Sequence, residues 1–477
     1  MTAKVKKVII AGGGITGLSA AFYLQKQIAE HQLDCEIILV EQSNRLGGKI
    51  QTDHVEGFVI EKGPDSFLAR KPAITQLTMD LGLEGELVGT NPNARKNYIL
   101  HNNRLHLMPP GLILGIPTQV TPFVKTGLIS PLGKLRAGMD LFIPSRREAG
   151  DESLGDFLQR RLGKEVAENI AEPLLSGIYA GDTQVLSLDA TFPQFKAIEQ
   201  KYGSIIKGML QSRRGGASAN SHTPTPPLNI PEVAKKSMFL TFRQGLHFMV
   251  EKLVEKLDQV DIRLEHCITE VTPNDSGYKV TLSDGTCEIV DAVLLATPAF
   301  ATKKILADVP EAELLSEVTY VSVANLALAY DRADIDYPLD ASGFVVPRTQ
   351  KRNITACTWT SSKWPQTTPD NRVLIRCYVG HSKDQSLVGL PDEVLLQKVR
   401  DDLRNIMGMK ANPLFYRVSR WKDSMPQYRV GHLQRLQEVR QALKTQRPGV
   451  YIAGAGYQGV GIPDCVQQGK DAAGQLV

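Results

Sequence analysis

An α/β fold that opens with a Rossmann-like nucleotide-binding unit is predicted by three features of this 477-residue sequence. They are a β-branched run that ends in glycines, a helical periodicity directly after it, and a second apolar run that ends in an acid. Val8-Ile9-Ile10-Ala11 is the first run, and residues 15–29 carry the periodicity in Leu18, Ala21, Phe22, Leu24 and Ile28. Glu36-Ile37-Ile38-Leu39-Val40 then leads to Glu41, so strand, tight turn, helix and strand make a compact βαβ unit. Gly12-Gly13-Gly14-Ile15-Thr16-Gly17 satisfies GxGxxG in that setting. Gly12 permits the tight turn, Gly14 lets backbone approach a pyrophosphate, and Gly17 allows close packing of helix on strand. The helix N-terminus favours the negative charge. Glu41 is placed to accept hydrogen bonds from a ribose diol, and its charge repels the extra phosphate of NADP.

Later elements follow in order. Residues 105–144 mix Pro and Gly with Leu, Ile and Phe, and helical stretches at 153–162 and 165–175 follow, which predicts a mostly helical insertion. Residues 213–231 are rich in Gly, Ser, Asn, Thr and Pro and predict a mobile surface loop. A helix is expected at 249–260 and strands at 262–271, 278–282 and 292–295, with a turn at Ser283-Asp284-Gly285. Strands at 321–330, 354–359 and 373–379 and a helix at 393–406 come next. The strand at 449–456 runs into glycines, and a helical tail starts near Asp464.

Composition excludes more than it names. Hydrophobic residues are 42% and charged residues 22%, the balance of an ordinary globular protein. A net charge of +4 is too weak to argue for nucleic acid. The six cysteines have no CxxC pair and the nine histidines no ligand spacing, so a reducing compartment and no metal site are expected. Lys4, Lys6 and Lys7 precede an uncharged stretch over 8–24 in the manner of a secretory signal, but Gly12, Gly13, Gly14 and Gly17 would spoil a signal helix. No apolar run approaches the roughly 18 residues of a membrane span. A soluble, cytoplasmic protein is expected.

A second glycine-rich loop separates flavin from nicotinamide. Asn44-Arg45-Leu46-Gly47-Gly48-Lys49 follows Glu41 almost immediately and offers two glycines and two cations near a pyrophosphate. Together with Gly12 to Gly17, Glu41 and Gly63-Pro64-Asp65-Ser66, it resembles the FAD-binding flavoproteins of the amine oxidase and protoporphyrinogen oxidase superfamily. Tyr451-Ile452-Ala453-Gly454-Ala455-Gly456 and Ile462-Pro463-Asp464 look like that superfamily's closing strand and helix, and Ala296-Thr297-Pro298 resembles its central crossover. The whole chain is similar to the soluble bacterial HemY type of porphyrinogen oxidase, an impression carried by Glu172-Pro173-Leu174-Leu175-Ser176-Gly177-Ile178-Tyr179-Ala180-Gly181-Asp182, Gly63 to Phe67 and Val460 to Asp464.

The resemblance implies an α/β chain: a Rossmann-like FAD-binding domain, an interleaved α+β substrate-binding domain and a helical insertion domain. The expected division gives 1–70, 238–300 and 421–477 to the FAD domain, 71–104 and 301–420 to the substrate domain, 105–210 to the helical domain and 211–237 to the mobile loop. By the same resemblance Gly12, Gly13, Gly14, Ile15, Thr16, Gly17, Glu41, Gln42, Arg45, Gly48, Lys49, Gly63, Pro64, Asp65, Ser66, Ile268, Trp421, Ile462, Pro463 and Asp464 hold FAD. Ile268 is expected to offer backbone to the adenine and Trp421 to lie near the flavin, with core packing as its other reading. The helix start near Asp464 would favour negative charge on the reduced ring.

The activity implied is oxidation of coproporphyrinogen III to coproporphyrin III in haem biosynthesis, with O2 as acceptor and H2O2 as product. Protoporphyrinogen IX is the nearest alternative substrate. A flavin amine oxidase or a carotenoid desaturase is a more distant one, against which the segment 172–182 argues, and a nucleotide-binding protein without redox turnover is a third. No Ser-His-Asp, Cys-His or paired-carboxylate constellation stands out, so no general base is named. Lys71 is the leading candidate for binding a substrate carboxylate, ahead of Arg70 and Arg95, because it follows the expected flavin-contacting loop. Leu112, Ile113, Leu114, Ile116, Phe123, Leu128 and Ile129 in the helical region have two readings, burial or peripheral membrane contact.

Overall fold

The computed structural model describes residues 6–113, 115–117, 119–146, 148, 150–214 and 231–476. Its first unit is β1 (Lys6–Ala11), α1 (Ile15–His31) and β2 (Cys35–Glu41), later joined by β3 (Val260–Leu264), β4 (Ala292–Leu295), β5 (Val450–Ile452) and the closing helix α2 (Ile462–Leu476). The five strands form one parallel sheet in the order β3-β2-β1-β4-β5. Both faces are covered. Val8 and Ile10 pack among residues of α1 and α2, and Ile9 and Ala11 pack on the opposite side with Val271, Val280, Leu436 and Val439. Alternate residues of a strand point to opposite faces, so burial on both sides requires the unbroken apolar run seen in β1.

The sheet draws strands from the start, middle and end of the chain, and α2 locks that arrangement. A side chain at Gly469 would place its Cβ 2.4 Å from the Thr16 carbonyl, so α2 rests directly on the first turn of α1.

A seven-stranded sheet stands beside this unit, in the order Phe415–Gln427, Thr319–Asp331, Arg372–Val379, Ile354–Trp359, Gly343–Val345, Tyr98–His101, Arg104–Leu107. Its partners run antiparallel except for Gly343–Val345 on Tyr98–His101. The third body is helical, with a core that includes Phe123, Leu128, Phe157, Ile170 and Phe195.

Several expected elements are corrected. The run 262–271 is two strands in two sheets: β3 ends at Leu264, Glu265 turns the chain at φ +60°, and Ile268–Asn274 opens an antiparallel hairpin sheet. Glu265 N–H and His266 N–H donate to Ser43 O and Glu41 O, which fixes the turn. The helix expected at 249–260 is His247–Val254, because Val260 is taken by β3. The course expected at 165–175 extends to Tyr179 and widens to a π-turn over Ala167–Ala171.

The helical region begins with short strands, Leu112–Ile113 and Ile116–Pro117. The ends of the expected mobile loop are helical, at Ile205–Arg214 and Glu232–Lys236, and its residues 215–230 lie outside the described residues. Of the junctions expected from sequence, 104/105 and 420/421 fall inside strands and 300/301 inside the helix Ala299–Ile305. Phe415–Gln427, which carries Trp421, is one continuous strand of the seven-stranded sheet.

Ile116, Phe123, Leu128 and Ile129 are buried, so burial is the correct reading for these four, and Leu114 lies outside the described residues. The exposed apolar residues of this region are others, among them Val120, Val124, Leu132, Leu135 and Phe142.

Candidate active site

The order of the parallel sheet reverses at β1, whose neighbours β2 and β4 lead away on opposite sides. Ligands of open α/β sheets bind outside the carboxyl ends of the strands at such a point. Here Ala11 lies opposite Leu295, and the chain leaves both strands into glycine turns and the 296–298 crossover. The first turn separates two uses of glycine. A Cβ on Gly17 would stand 1.9 Å from Gly12 O, and one on Gly12, at φ +104°, would stand 2.8 Å from Ala296 O, so both are demanded by packing. A Cβ on Gly14 would meet nothing within 4 Å, although its φ of −73° suits any residue. Gly14 therefore faces open space at the N-terminus of α1, where backbone N–H groups and the helix dipole favour an anion.

The second loop seals one side of that space. Gly47 N–H donates to Gly13 O at 2.8 Å, and Gly48 approaches the Gly14 backbone. Arg45 Nη2 donates to Gly48 O at 2.9 Å, which stiffens the loop. Glu41 accepts from Gly13 N–H at 2.7 Å through Oε2, and from Ser43 N–H and Oγ–H at 2.9 and 2.7 Å through Oε1. Its carboxylate is thus held across the turn beside Gly13. Gln42 is exposed, and the Ile268 side chain enters the core under the hairpin sheet. Lys49 is solvent-accessible, yet burial lowers its ammonium pKa, the combination expected of a group on the wall of a deep cleft. Its Nζ donates to Ser424 O.

The third loop, 62–66, is held from the seven-stranded sheet. Lys62 O accepts from Asn325 Nδ2 at 2.6 Å and from Trp421 Nε1 at 2.7 Å. Gly63 sits where a Cβ would be 2.0 Å from Lys49 O and 3.6 Å from the Trp421 ring, so Lys49, Gly63 and Trp421 are immediate neighbours. Asp65 Oδ2 accepts from Lys363 Nζ at 3.0 Å and lies 3.8 Å from Arg376 Nη1, while Asp65 Oδ1 accepts from Ser66 Oγ at 2.7 Å. Burial alone would raise the Asp65 pKa, but Lys363 and Arg376 together hold it well below the usual carboxylate range. Glu61, just before the loop, feels the charge of Arg376 but makes no ion pair among the described residues. Burial pushes it up to about 7, against hydrogen bonds from Leu246 N–H and Thr52 Oγ–H at 2.6 and 2.9 Å.

The closing segment completes the enclosure. Gly454 N–H donates to Gln468 Oε1 at 3.0 Å, beside Thr16, and Ile462-Pro463-Asp464 forms the first turn of α2. Asp464 Oδ1 pairs with Lys71 Nζ, so the residue expected to meet substrate already holds a carboxylate of the chain itself. Arg95 is exposed. Glycine loops, Glu41, loop 62–66 with Trp421, and the start of α2 thus converge on one cleft. The sequence reading missed Ser43, Glu61, Lys363 and Arg376. Arg376 had a signal, a single charge inside the apolar run Val373–Val379, whereas Lys363 and Glu61 had none.

The model of the flavin-containing amine oxidoreductases matches residues 15–477. The chain belongs to that family. Within it, this flavoprotein is 44% identical to coproporphyrinogen III oxidase of Bacillus subtilis (strain 168), over 98% of this chain and 97% of that one. It is 41% identical to coproporphyrinogen III oxidase of Staphylococcus aureus (strain NCTC 8325 / PS 47), over 99% of each. A crystal structure of a protein from Exiguobacterium sp. 255-15 superposes with a TM-score of 0.87 at 37% identity, over 99% of each chain. The cofactor of this flavin-containing oxidoreductase is FAD, and the residues present fit it: Gly14 leaves open space at the N-terminus of α1 where a pyrophosphate would have room, and the Glu41 carboxylate is held beside that turn where a diol would meet it.

Gly14→Val is expected to fold and to lose FAD, because its side chain fills ligand space rather than protein. Gly17→Ala is expected to misfold. Absorbance of the purified variants at the flavin bands, with circular dichroism for folding, separates the two, and normal flavin occupancy in Gly14→Val would count against the cradle.

Glu61 gives a pH test. Its folded pKa of about 7 exceeds the ordinary 4.5, so the folded state holds the proton that the unfolded state releases, and stability falls as pH rises across that window. The loss is roughly 3 kcal/mol. Glu61→Gln should remove that part of the slope and be the more stable protein at pH 8, read from denaturant midpoints at pH 5 and 8. An unchanged slope would show that Glu61 does not titrate there.

Proposed function

We propose that this flavoprotein oxidises coproporphyrinogen III to coproporphyrin III in haem biosynthesis, with O2 as electron acceptor and H2O2 as product. Protoporphyrinogen IX is the alternative substrate. The carrying observation is the likeness to two bacterial coproporphyrinogen III oxidases along essentially the whole of both chains. FAD, when bound, supplies the acceptor for the hydride that each saturated bridge of the macrocycle loses, and aromatisation drives the steps. The chain's own residues bind, orient and enclose. Gly12 to Gly17, Glu41, Arg45 and Gly48 take the nucleotide end, and Lys49, Gly63 to Ser66, Trp421 and Ile462 to Asp464 surround the ring. In this reading the FAD unit comprises 1–70, 238–300 and 421–477, with its outer junctions shifted to the ends of the strands and helix they cross.

Orientation falls to the cations of the cleft. Lys71 and Asp464 keep 35% and 27% of their side chains exposed, so a substrate propionate can compete with Asp464 for the ammonium. Coproporphyrinogen carries four propionates and protoporphyrinogen two. The six cysteines are unpaired, including Cys357 and Cys377, whose Sγ atoms face each other at 3.8 Å across two strands, and a reducing, cytoplasmic setting is part of the reading. Among the described residues no helix is long and apolar enough to cross a membrane. Peripheral contact with anionic lipid is favoured by Val120, Val124, Leu132, Leu135 and Phe142, which are 54–85% exposed beside the exposed Lys125.

Two measurements test these assignments. The purified protein, offered both porphyrinogens, is expected to form porphyrin fluorescence and consume O2 faster with the coproporphyrinogen. Lys71→Ala should raise KM for the tetra-anionic substrate more than for the di-anionic one, and equal effects would remove Lys71 as a selective contact. Sedimentation with phosphatidylglycerol vesicles should be lost in the Leu132→Glu/Phe142→Glu protein, and identical sedimentation of native and variant protein would discard the lipid surface.

A further inference from the structure

Arg376 is a strange residue for its place. It lies in a central strand of the seven-stranded sheet, it is fully buried, and its strand neighbours are apolar. Burying a guanidinium is unfavourable unless it is paired and hydrogen-bonded. Arg376 Nη2 donates to Gly63 O at 2.8 Å, and its Nε and Nη1 atoms have no hydrogen-bond partner among the described residues. Tyr378 lies against one face of the guanidinium, with CZ 5.3 Å from the ring centroid. The second cation, Lys363, is held over the Phe239 and Trp364 rings and reaches Asp65 at 3.0 Å.

The charges do not cancel. Two cations, Lys363 and Arg376, face one committed carboxylate, Asp65. The other buried acid nearby, Glu61, is largely protonated below neutral pH. Below neutral pH loop 62–66 thus carries excess positive charge behind it, on the side of the seven-stranded sheet. Burial weakens solvent screening, so that charge is felt at the loop surface.

We propose that Arg376 and Lys363 are positioning residues that stabilise the anionic, reduced form of the flavin through loop 62–66. The proposal rests on the placement of the flavin ring against Gly63 to Ser66. It adds a second source of positive potential to the N-terminus of α2. It also accounts for the Nε and Nη1 nitrogens of Arg376, which have no hydrogen-bond partner among the described residues: they belong to a charge kept for its field as well as for its bond to Gly63.

The test is the equilibrium of the holoenzyme flavin with a redox dye of known potential under anaerobic conditions. Removing a cation, in Arg376→Met or Lys363→Met, should shift the equilibrium on the order of tenfold toward oxidised flavin, and removing the carboxylate in Asp65→Asn should shift it toward reduced flavin. Arg376→Lys should stay within about threefold of the native protein, because it keeps the charge. General damage to the loop would move every variant the same way. If Arg376→Met fails to fold, Lys363→Met against Asp65→Asn still gives the opposed signs.

Shifts of the same sign in both, or shifts under twofold, overturn the proposal. The placement of the flavin is read separately, from the visible spectra of the same variants. If none of them perturbs the flavin bands, the ring does not lie at this loop, and that failure is distinct from a perturbed spectrum with unopposed shifts.

Discussion

The close approach of α1 to the glycine turn is the constraint on which the rest of the molecule depends. With Gly17 pressed on Gly12 O, the first helix can start immediately beyond β1, and its N-terminal amides face the open space at Gly14. The same closeness lets α2 rest on Thr16 through Gly469, which brings the last segment of the chain back to the first. Neither contact gains much energy by itself. Their consequence is geometric: the cleft has rigid walls contributed by segments more than four hundred residues apart in sequence, and a ligand that needs an anion site and a closing helix finds both already placed.

Local patterns were legible and distant pairings were not. The opening βαβ unit is encoded within about forty residues by period-two and period-3.6 apolar patterns and by glycines whose spacing has a steric meaning. The 13-residue strand Phe415–Gln427 escaped because Arg417, Arg420, Lys422 and Asp423 interrupt its apolar positions, as befits a strand on the edge of its sheet with one side towards water. The break between β3 and Ile268–Asn274 escaped because a single left-handed residue, Glu265, divides a run whose pattern is strand-like on both sides. The pairing of Lys71 with Asp464 spans 393 positions and leaves no trace in local sequence. The cradle glycines could be read from sequence, but the partner of each charge could not.

Much of the charge in this protein is paired, on the surface as well as in the interior, and a net value of +4 said little about where it lies. In the helical body, Arg161 is fully buried against an equally buried Asp140, which also accepts from Ser204 Oγ and Ile206 N–H. Arg161 spends its remaining donors on Ile143 O, Asp140 O and Gly203 O. This group is closed and nearly fully satisfied, as a structural ion pair must be. The cluster at loop 62–66 differs in kind, since two cations meet one committed carboxylate and two nitrogens of Arg376 have no hydrogen-bond partner among the described residues. Departures from pairing, more than charges as such, separate a site from a scaffold.

The segment Glu172 to Asp182, which in the sequence resembles the porphyrinogen oxidases, contains no group that must touch electrons. Its place in the fold explains its composition. Ala180 adopts a left-handed conformation at the end of its helix, which frees Ala180 O to accept from Ser382 N–H at 2.8 Å, and Gln427 Nε2 donates to Tyr179 O at 2.8 Å. Arg348 bonds to Gly181 O and pairs with Glu172 at 3.1 Å and Asp182 at 3.6 Å. These contacts join the helical body to the seven-stranded sheet, the same sheet that holds loop 62–66 through Asn325, Arg376 and Trp421. The joint therefore fixes the helical body relative to the cofactor cleft by way of one shared sheet. A change at Arg348 would loosen that joint, and its effect would reach loop 62–66 through the shared sheet.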